Sequence, residues 1–221
     1  MSRPQDQRES RPVIVATDSA DLAGDLAVPE GARGIVVFAH GSGSSRLSPR
    51  NQFVARELRG ARLATLLFDL LTAEEDEVDE VTREYRFDID LLARRLVGAT
   101  DWLAEQPEAQ ELKIGYFGAS TGSAAALMAA AERPTLVRAI VSRGGRPDLA
   151  APALPRVLAP TLLIVGGNDE QVLGMNKKAM AQMRAQKELA IVEGATHLFE
   201  EPGALEEVAR LARGWFARHL R

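Results

Sequence analysis

The stretch Gly118-Ala119-Ser120-Thr121-Gly122 places a serine where its hydroxyl could act as a nucleophile. Before it, Leu112 to Phe117 is a short apolar run that reads as a buried strand, with Pro107 upstream as a breaker. After it, Ser123 to Ala131 is nearly all alanine, with Leu127 and Met128. That reads as a helix small on every side and packed close to a sheet. Ser120 therefore sits at a sharp strand-to-helix turn. Glycines two residues before and two after it remove the Cβ atoms that would collide with the neighbouring strand or helix. Such a turn lifts the hydroxyl above the sheet, at a helix N-terminus whose dipole favours negative charge. A plain glycine-rich turn with an incidental serine has the same pattern. A phosphate loop does not fit, because no Lys-Ser or Lys-Thr pair follows the glycines.

A serine hydroxyl is too weak an acid to attack a carbonyl alone, so it needs an adjacent base, most often histidine. The chain has three histidines, His40, His197 and His219. His219, close to the C-terminus, reads as solvated. His40, just before Gly41 at a strand end, reads as a ring that packs and hydrogen-bonds around its loop. A histidine base in turn needs a carboxylate to fix its tautomer. Asp169, Asp148, Glu170 and Asp69 are the candidates. There is no cysteine, which excludes disulfides, thiolate metal sites and a cysteine nucleophile.

The elements that must position these groups can be read in order. Met1 to Ser10 reads as a disordered tail and residues 11–221 as one domain. Pro12–Ala16 and Asp21–Val28 read as an antiparallel hairpin at a sheet edge, closed by Pro29-Glu30-Gly31. Gly34–Ala39 is a continuous apolar run suited to a central strand, ending in His40-Gly41-Ser42-Gly43. A helix over Ser48–Leu58 and a strand over Leu63–Phe68 follow. The acidic run Ala73–Glu84 reads as a solvated loop or frayed helix, with a mobile flap as the functional alternative. Asp88–Leu103 is an amphipathic helix with Leu92, Leu96, Ala99 and Leu103 inward and Arg94, Arg95 and Asp101 turned away. Strands are expected at Val137–Ser142, Pro160–Val165 and Leu189–Val192, with helices at Val172–Ala185 and from Pro202 onward.

Alternation of strand and helix from residue 34 demands a mainly parallel sheet with helices on both faces. Ligands bind such sheets at the carboxyl ends of the strands. His40-Gly41, Ser120, Asp169 and His197 all fall at those ends. Four strand ends converging on one edge are far more specific than any motif alone. The net charge of −4 gives no nucleic-acid footprint. No apolar run approaches the roughly 18 residues of a membrane span. The polar start carries no apolar signal core, so a cytoplasmic protein without membrane partners is expected.

With these residues in place, the chain resembles the α/β-hydrolase superfamily, and within it the small cap-less dienelactone-hydrolase-like esterases. The matching positions are Ser120 in G-x-S-x-G, Asp169 after the next-to-last strand and His197 after the last, in the order Ser, Asp, His of that fold. True dienelactone hydrolases carry a cysteine nucleophile. Its replacement by Ser120 points to ordinary serine ester chemistry. The resemblance implies a single-domain α/β-hydrolase fold with an eight-stranded, mainly parallel sheet and no cap domain. It also implies a Ser120–His197–Asp169 triad, with Asp148 as the rival acid.

Two backbone N–H groups should meet the oxyanion, that of Thr121 after the nucleophile and that of Ser42, with Gly43 next in line. Arg143 and Arg146 could hold a carboxylate or phosphate on the substrate, and Met175 and Phe199 could line an apolar pocket. The expected activity is hydrolysis of small carboxylic esters or thioesters through an acyl-enzyme, with no metal or organic cofactor. The alternative is a non-catalytic member of the fold that binds a small ligand. A carbon–halogen or peroxidase-type variant is disfavoured, because halide cleavage normally uses an aspartate nucleophile. The linker from Arg143 to Ala159, broken by Gly144, Gly145, Pro147, Pro152 and Pro155, leaves room for at most one short helix, so short acyl groups should be preferred.

Overall fold

The structure is a computed structural model that describes residues 10–221. The expected tail, residues 1–10, falls almost wholly outside them. Eight strands form one sheet in the order β1-β2-β4-β3-β5-β6-β7-β8. β1 (Arg11–Ala16) and β2 (Asp21–Ala27) make the edge hairpin, and β2 also runs antiparallel to β4 (Ala64–Phe68). From β4 onward, β3 (Gly34–Ala39), β5 (Lys113–Ala119), β6 (Val137–Arg143), β7 (Thr161–Gly166) and β8 (Lys187–Val192) are all parallel. β3, β4 and β7 are buried along their whole length, which is why they read as unbroken apolar runs.

Helices cover both faces. On one, α1 (Pro49–Gly60) packs beside α6 (Ala204–His219) over a core that includes Val36, Phe38, Phe117, Val141 and Trp215. On the other, α3 (Ile89–Ala104) packs against α4 (Thr121–Glu132) over Ile35, Val37, Tyr116 and Ile140. α5 (Glu170–Gln182) follows β7 and packs against it. His219 is half-buried rather than solvated, with its ring 4.5 Å from that of Trp215.

The acidic run departs most from expectation. Ala73–Thr82 is an α-helix, α2, followed by a 3₁₀ turn at Tyr85–Phe87. Its start is a capping box: the Thr72 hydroxyl accepts the Glu75 N–H at 3.2 Å, and Glu75 accepts the Thr72 N–H at 2.9 Å. The expected solvated orientation of Arg95 is also corrected. Arg95 is buried and donates to Glu75 at 2.7 Å, which ties α2 to α3. The β6–β7 connection holds two short 3₁₀ turns, Pro147–Ala150 and Leu154–Arg156, and no cap. No helix among the described residues is long and apolar enough to cross a membrane.

Candidate active site

The strand-to-helix turn is built as its glycines require. A Cβ on Gly118 would overlap the Cα of Ser123, and one on Gly122 would run into the carbonyl oxygens of Ala39 and His40. Ser120 between them has φ 50° and ψ −121°, a conformation that costs a non-glycine residue about 1–3 kcal/mol. Bonds on both sides hold it there. Its N–H donates to the Arg143 carbonyl at 3.1 Å. Its own carbonyl accepts from the Ser123 hydroxyl at 2.7 Å and from the Ser123 and Arg146 N–H groups at 3.1 and 3.2 Å. Although Ser120 is the N-cap residue of α4, its hydroxyl does not cap the helix and is left for other work.

His197 reaches the same edge on the loop after β8. Its Nδ1–H donates to Asp169 Oδ2 at 2.7 Å, an assignment that leaves Nε2 as the acceptor. The other oxygen of Asp169 caps α5 through the Val172 N–H at 3.4 Å, so both carboxylate oxygens are fixed. Two links stitch the loops together: Asn168 N–H to the Ala195 carbonyl and the Asn168 amide to the Gly194 carbonyl, both at 2.9 Å. Gly144, at φ 52°, lets the β6 exit pass under the ring; a Cβ there would stand 3.4 Å from His197 Cε1. The hydrogen bonds of His197 run to Asp169 and not to Ser120. Contacts of this kind commonly tighten only when substrate is bound.

The rival acids are occupied. Asp148 takes both ends of Arg146 at 2.9 and 2.8 Å, and Asp69 accepts the Arg46 N–H at 2.7 Å and pairs with its guanidinium. Glu170 lies exposed in the first turn of α5. Of the four carboxylates, Asp169 alone meets the histidine.

The oxyanion loop corrects one expectation. Thr121 begins α4, so its N–H has no partner within the helix. The Ser42 N–H does not stand free: it donates to Thr121 Oγ1 at 3.0 Å, and the two hydroxyls lie 2.9 Å apart. Gly41 runs against Ser120, and a Cβ on it would sit 3.1 Å from Ser120 Cβ.

The expected substrate contacts divide. Phe199 is 1% exposed and belongs to the core on the α1–α6 side, so it is no open pocket wall. Arg146 is held by Asp148. Met175 is half-buried on α5. Arg143 is 8% exposed, with its guanidinium carbon 5.9 Å from the centre of the Phe199 ring, and its Nε and Nη1 have no partner among the described residues. Burial, and then the nearby charge of Arg50, push its guanidinium down to about 10, which still leaves it charged at neutral pH. A cleft of about 790 Å³ lies beside the oxyanion loop, lined among others by Asp21, His40, Arg46, Asp69 and Glu74. Its lining contains none of Ser120, Asp169 and His197. Among the described residues no cluster of His, Asp or Glu is placed to hold a metal ion.

Three further residues have roles here that the sequence does not signal. Ser123 bridges the turn to the β6 exit, its Oγ accepting the Arg146 N–H at 3.0 Å. The buried Asp79 and the half-buried Arg86 form an ion pair behind the loop after β3. Only the Thr72-x-x-Glu75 capping box pointed towards order in that region.

The dienelactone hydrolase family model matches residues 22–218. A crystal structure of dienelactone hydrolase from Anabaena variabilis is 62% identical, covers 98% of this chain and all of its own, and superposes with a TM-score of 0.96. A Mycobacterium tuberculosis protein with the provisional name phosphoribosyl transferase is 59% identical over 208 residues, 94% of this chain. Those residues are 46% of that protein, so the chain spans about half the length of the curated relatives it matches. Est1E from Butyrivibrio proteoclasticus, 14% identical with a TM-score of 0.78 over 95% of this chain and 98% of its own, shares the fold. On the family match and the Anabaena structure, the chain belongs to the dienelactone hydrolase family.

Proposed function

We propose that the chain is a serine hydrolase that cleaves small carboxylic esters or thioesters through an acyl-enzyme, with Ser120, His197 and Asp169 as its triad. The observation that carries this reading is the 2.7 Å bond from His197 Nδ1 to Asp169 Oδ2, at the same sheet edge as a strained serine whose hydroxyl caps nothing. With Nδ1–H held by Asp169, Nε2 takes the Ser120 proton as Oγ attacks the carbonyl carbon. The tetrahedral oxyanion meets the Thr121 N–H at the start of α4. It replaces Thr121 Oγ1 as the acceptor of the Ser42 N–H once that side chain rotates away. His197 then returns the proton to the leaving alcohol or thiol, and water repeats the sequence on the acyl-enzyme.

Of the two arginines named as substrate contacts, Arg143 and not Arg146 keeps donors without an acceptor among the described residues, which supports Arg143 as the partner of an anionic substituent on the substrate. The transferase name of the Mycobacterium relative belongs to a chain about twice as long, and the residues above favour a hydrolase in this stretch. The test is reaction with a fluorophosphonate probe followed by peptide mapping. Modification of Ser120, together with a loss on the order of 10⁴-fold in p-nitrophenyl acetate hydrolysis in folded Ser120→Ala, supports the reading. An unlabelled Ser120 in a chain that still binds small ligands would favour a non-catalytic binder.

A further inference from the structure

Asp79 is 1% exposed, which is unusual for an aspartate in a run as acidic as Glu74 to Glu80. Each of its oxygens bonds to Arg86, and its carbonyl also accepts the Arg83 N–H at 2.8 Å. Its carboxylate pairs with the Arg86 guanidinium and accepts the Arg86 N–H at 2.9 Å, and its carbonyl accepts from Arg86 Nη2 at 3.0 Å. Burying such a pair rarely adds net stability, because desolvation offsets the attraction, but it fixes geometry. What it fixes here is the backbone of Arg86. The Arg86 carbonyl accepts the Ser42 hydroxyl at 3.3 Å, and the Arg86 guanidinium lies against Gly43, where a Cβ would come within 3.4 Å of Nη1.

One direction of hydrogen bonding then satisfies the whole chain. The Ser42 hydroxyl donates to Arg86, the Thr121 hydroxyl donates to Ser42 Oγ, and Thr121 Oγ1 is left to accept the Ser42 N–H. The residue after the nucleophile, the loop after β3 and the 3₁₀ turn after α2 are thus joined through two hydroxyls.

We propose that Asp79 is a positioning residue for the oxyanion hole, acting through Arg86 on the Ser42 loop. It touches no substrate; it sets where the Ser42 N–H stands relative to the Thr121 N–H. This rests on the hydrolase reading above, which assigns those two N–H groups to the oxyanion. Removing one oxyanion donor outright typically costs about 10²–10³ in kcat. Loosening one should cost less, about tenfold, and should act on kcat rather than KM, because the contact is made in the transition state.

The experiment compares Asp79→Asn, Ser42→Ala and the double variant with p-nitrophenyl acetate, alongside NMR-resolved amide exchange at Ser42. Expected are a drop of about tenfold in kcat in each single variant with KM little changed, and a double variant no worse than either single. Ser42 N–H exchange should speed up in Asp79→Asn. Ser42→Ala leaves the buried pair intact, so it serves where Asp79→Asn folds poorly. Multiplicative losses, a wild-type kcat in Ser42→Ala, or unchanged Ser42 exchange in folded Asp79→Asn would overturn the proposal. A wild-type protein that neither hydrolyses ester nor reacts with fluorophosphonate would overturn the hydrolase reading, and the exchange measurement would still decide whether Asp79 holds the loop.

Discussion

The turn at Ser120 and the acidic segment from Thr72 to Phe87 both place backbone groups at one edge of the sheet, by opposite means. The turn works by shape: Gly118 and Gly122 leave room for backbone that any Cβ would displace, and no charge is involved. The acidic segment works by charge: Asp79 clamps Arg86, and Glu75 meets the buried Arg95. Shape is a steep function of distance, so a device built on it should fail abruptly and take the fold with it. An ion pair is a shallow function of distance even where one partner is buried, as Asp79 and Arg95 are, so its loss should loosen the site before it unfolds the chain.

The largest effect belongs to the group that meets the histidine. Asp169→Asn should lower kcat by about 10⁴-fold, since it takes away the acceptor that holds the Nδ1–H tautomer. Asp148→Asn should stay within a few-fold, because that carboxylate is engaged with Arg146. Steady-state kinetics on the two purified variants decides it, and the reverse ranking would move the acid to the loop after β6.

Stability separates the two regions next. Gly122→Ala forces a Cβ into the Ala39 and His40 carbonyls and should cost about 3 kcal/mol, with a clear fall in the urea midpoint. Glu75→Ala removes a capping-box acceptor and the partner of Arg95, but Glu75 is partly solvated and water can replace it. A loss of about 1–2 kcal/mol is expected. If Glu75→Ala proves the more damaging, positioning by charge is the stiffer device in this protein and the contrast fails.

The same contrast explains what could be read from the sequence. The strands, the hairpin edge, the missing cap and the placing of Asp169 beside His197 are legible because each rests on local pattern: apolar runs, glycine spacing and strand-end position. Asp79 was not legible, because its burial depends on Arg86 curling back over it through a 3₁₀ turn, and an acidic run has the same composition whether solvated or clamped. Arg95 was misplaced for a related reason. Helical periodicity sets it on the outer face, and α2, read as a solvated loop or frayed helix, covers that face. Phe199 could be a pocket wall or plain core on sequence alone; it is core, at a backbone φ of 56°. The engagement of the Ser42 N–H by Thr121 has no sequence signal, since any residue type supplies that donor.

His40 lies between the two regions and offers a milder test. Its Nδ1–H donates to the Gly41 carbonyl and its Nε2 accepts the Leu70 N–H, both at 3.0 Å, so the ring must be neutral. Burial lowers its pKa from the usual 6.5, outweighing the Gly41 carbonyl and the charges of Asp69 and Asp76, which raise it. The unfolded chain therefore binds a proton that the folded chain refuses between 6.5 and the lower folded value. Stability is complete above 6.5 and declines as pH falls below it, by at most about 1.4 kcal/mol per pH unit for one proton. Urea midpoints taken downward from pH 7.5 should show that decline in the wild type, less steeply in His40→Gln. An equal slope in both would assign the acid sensitivity to other groups.

The smallest effect concerns acyl length, and it asks whether the acidic segment is a cover as well as a clamp. The β6–β7 connection gives no helical wall, only two 3₁₀ turns. The acidic segment is an ordered helix, but it faces solvent with Val81 and the following Phe87 exposed and buries only Asp79. Leu149 and Leu198 are also exposed near the triad loops. Scattered apolar side chains of this kind do not enclose an alkyl chain. Each added methylene then realises only a small part of the roughly 0.8 kcal/mol that full burial would provide. Specificity constants for p-nitrophenyl esters should peak at the shortest acyl groups and decline with length, changing by less than about threefold per methylene. A steady rise from acetate to decanoate would show that α2 and Phe87 close over the substrate. In that case the clamp at Asp79 would also be a hinge, and Phe87→Ala should abolish the rise while leaving acetate turnover unaffected.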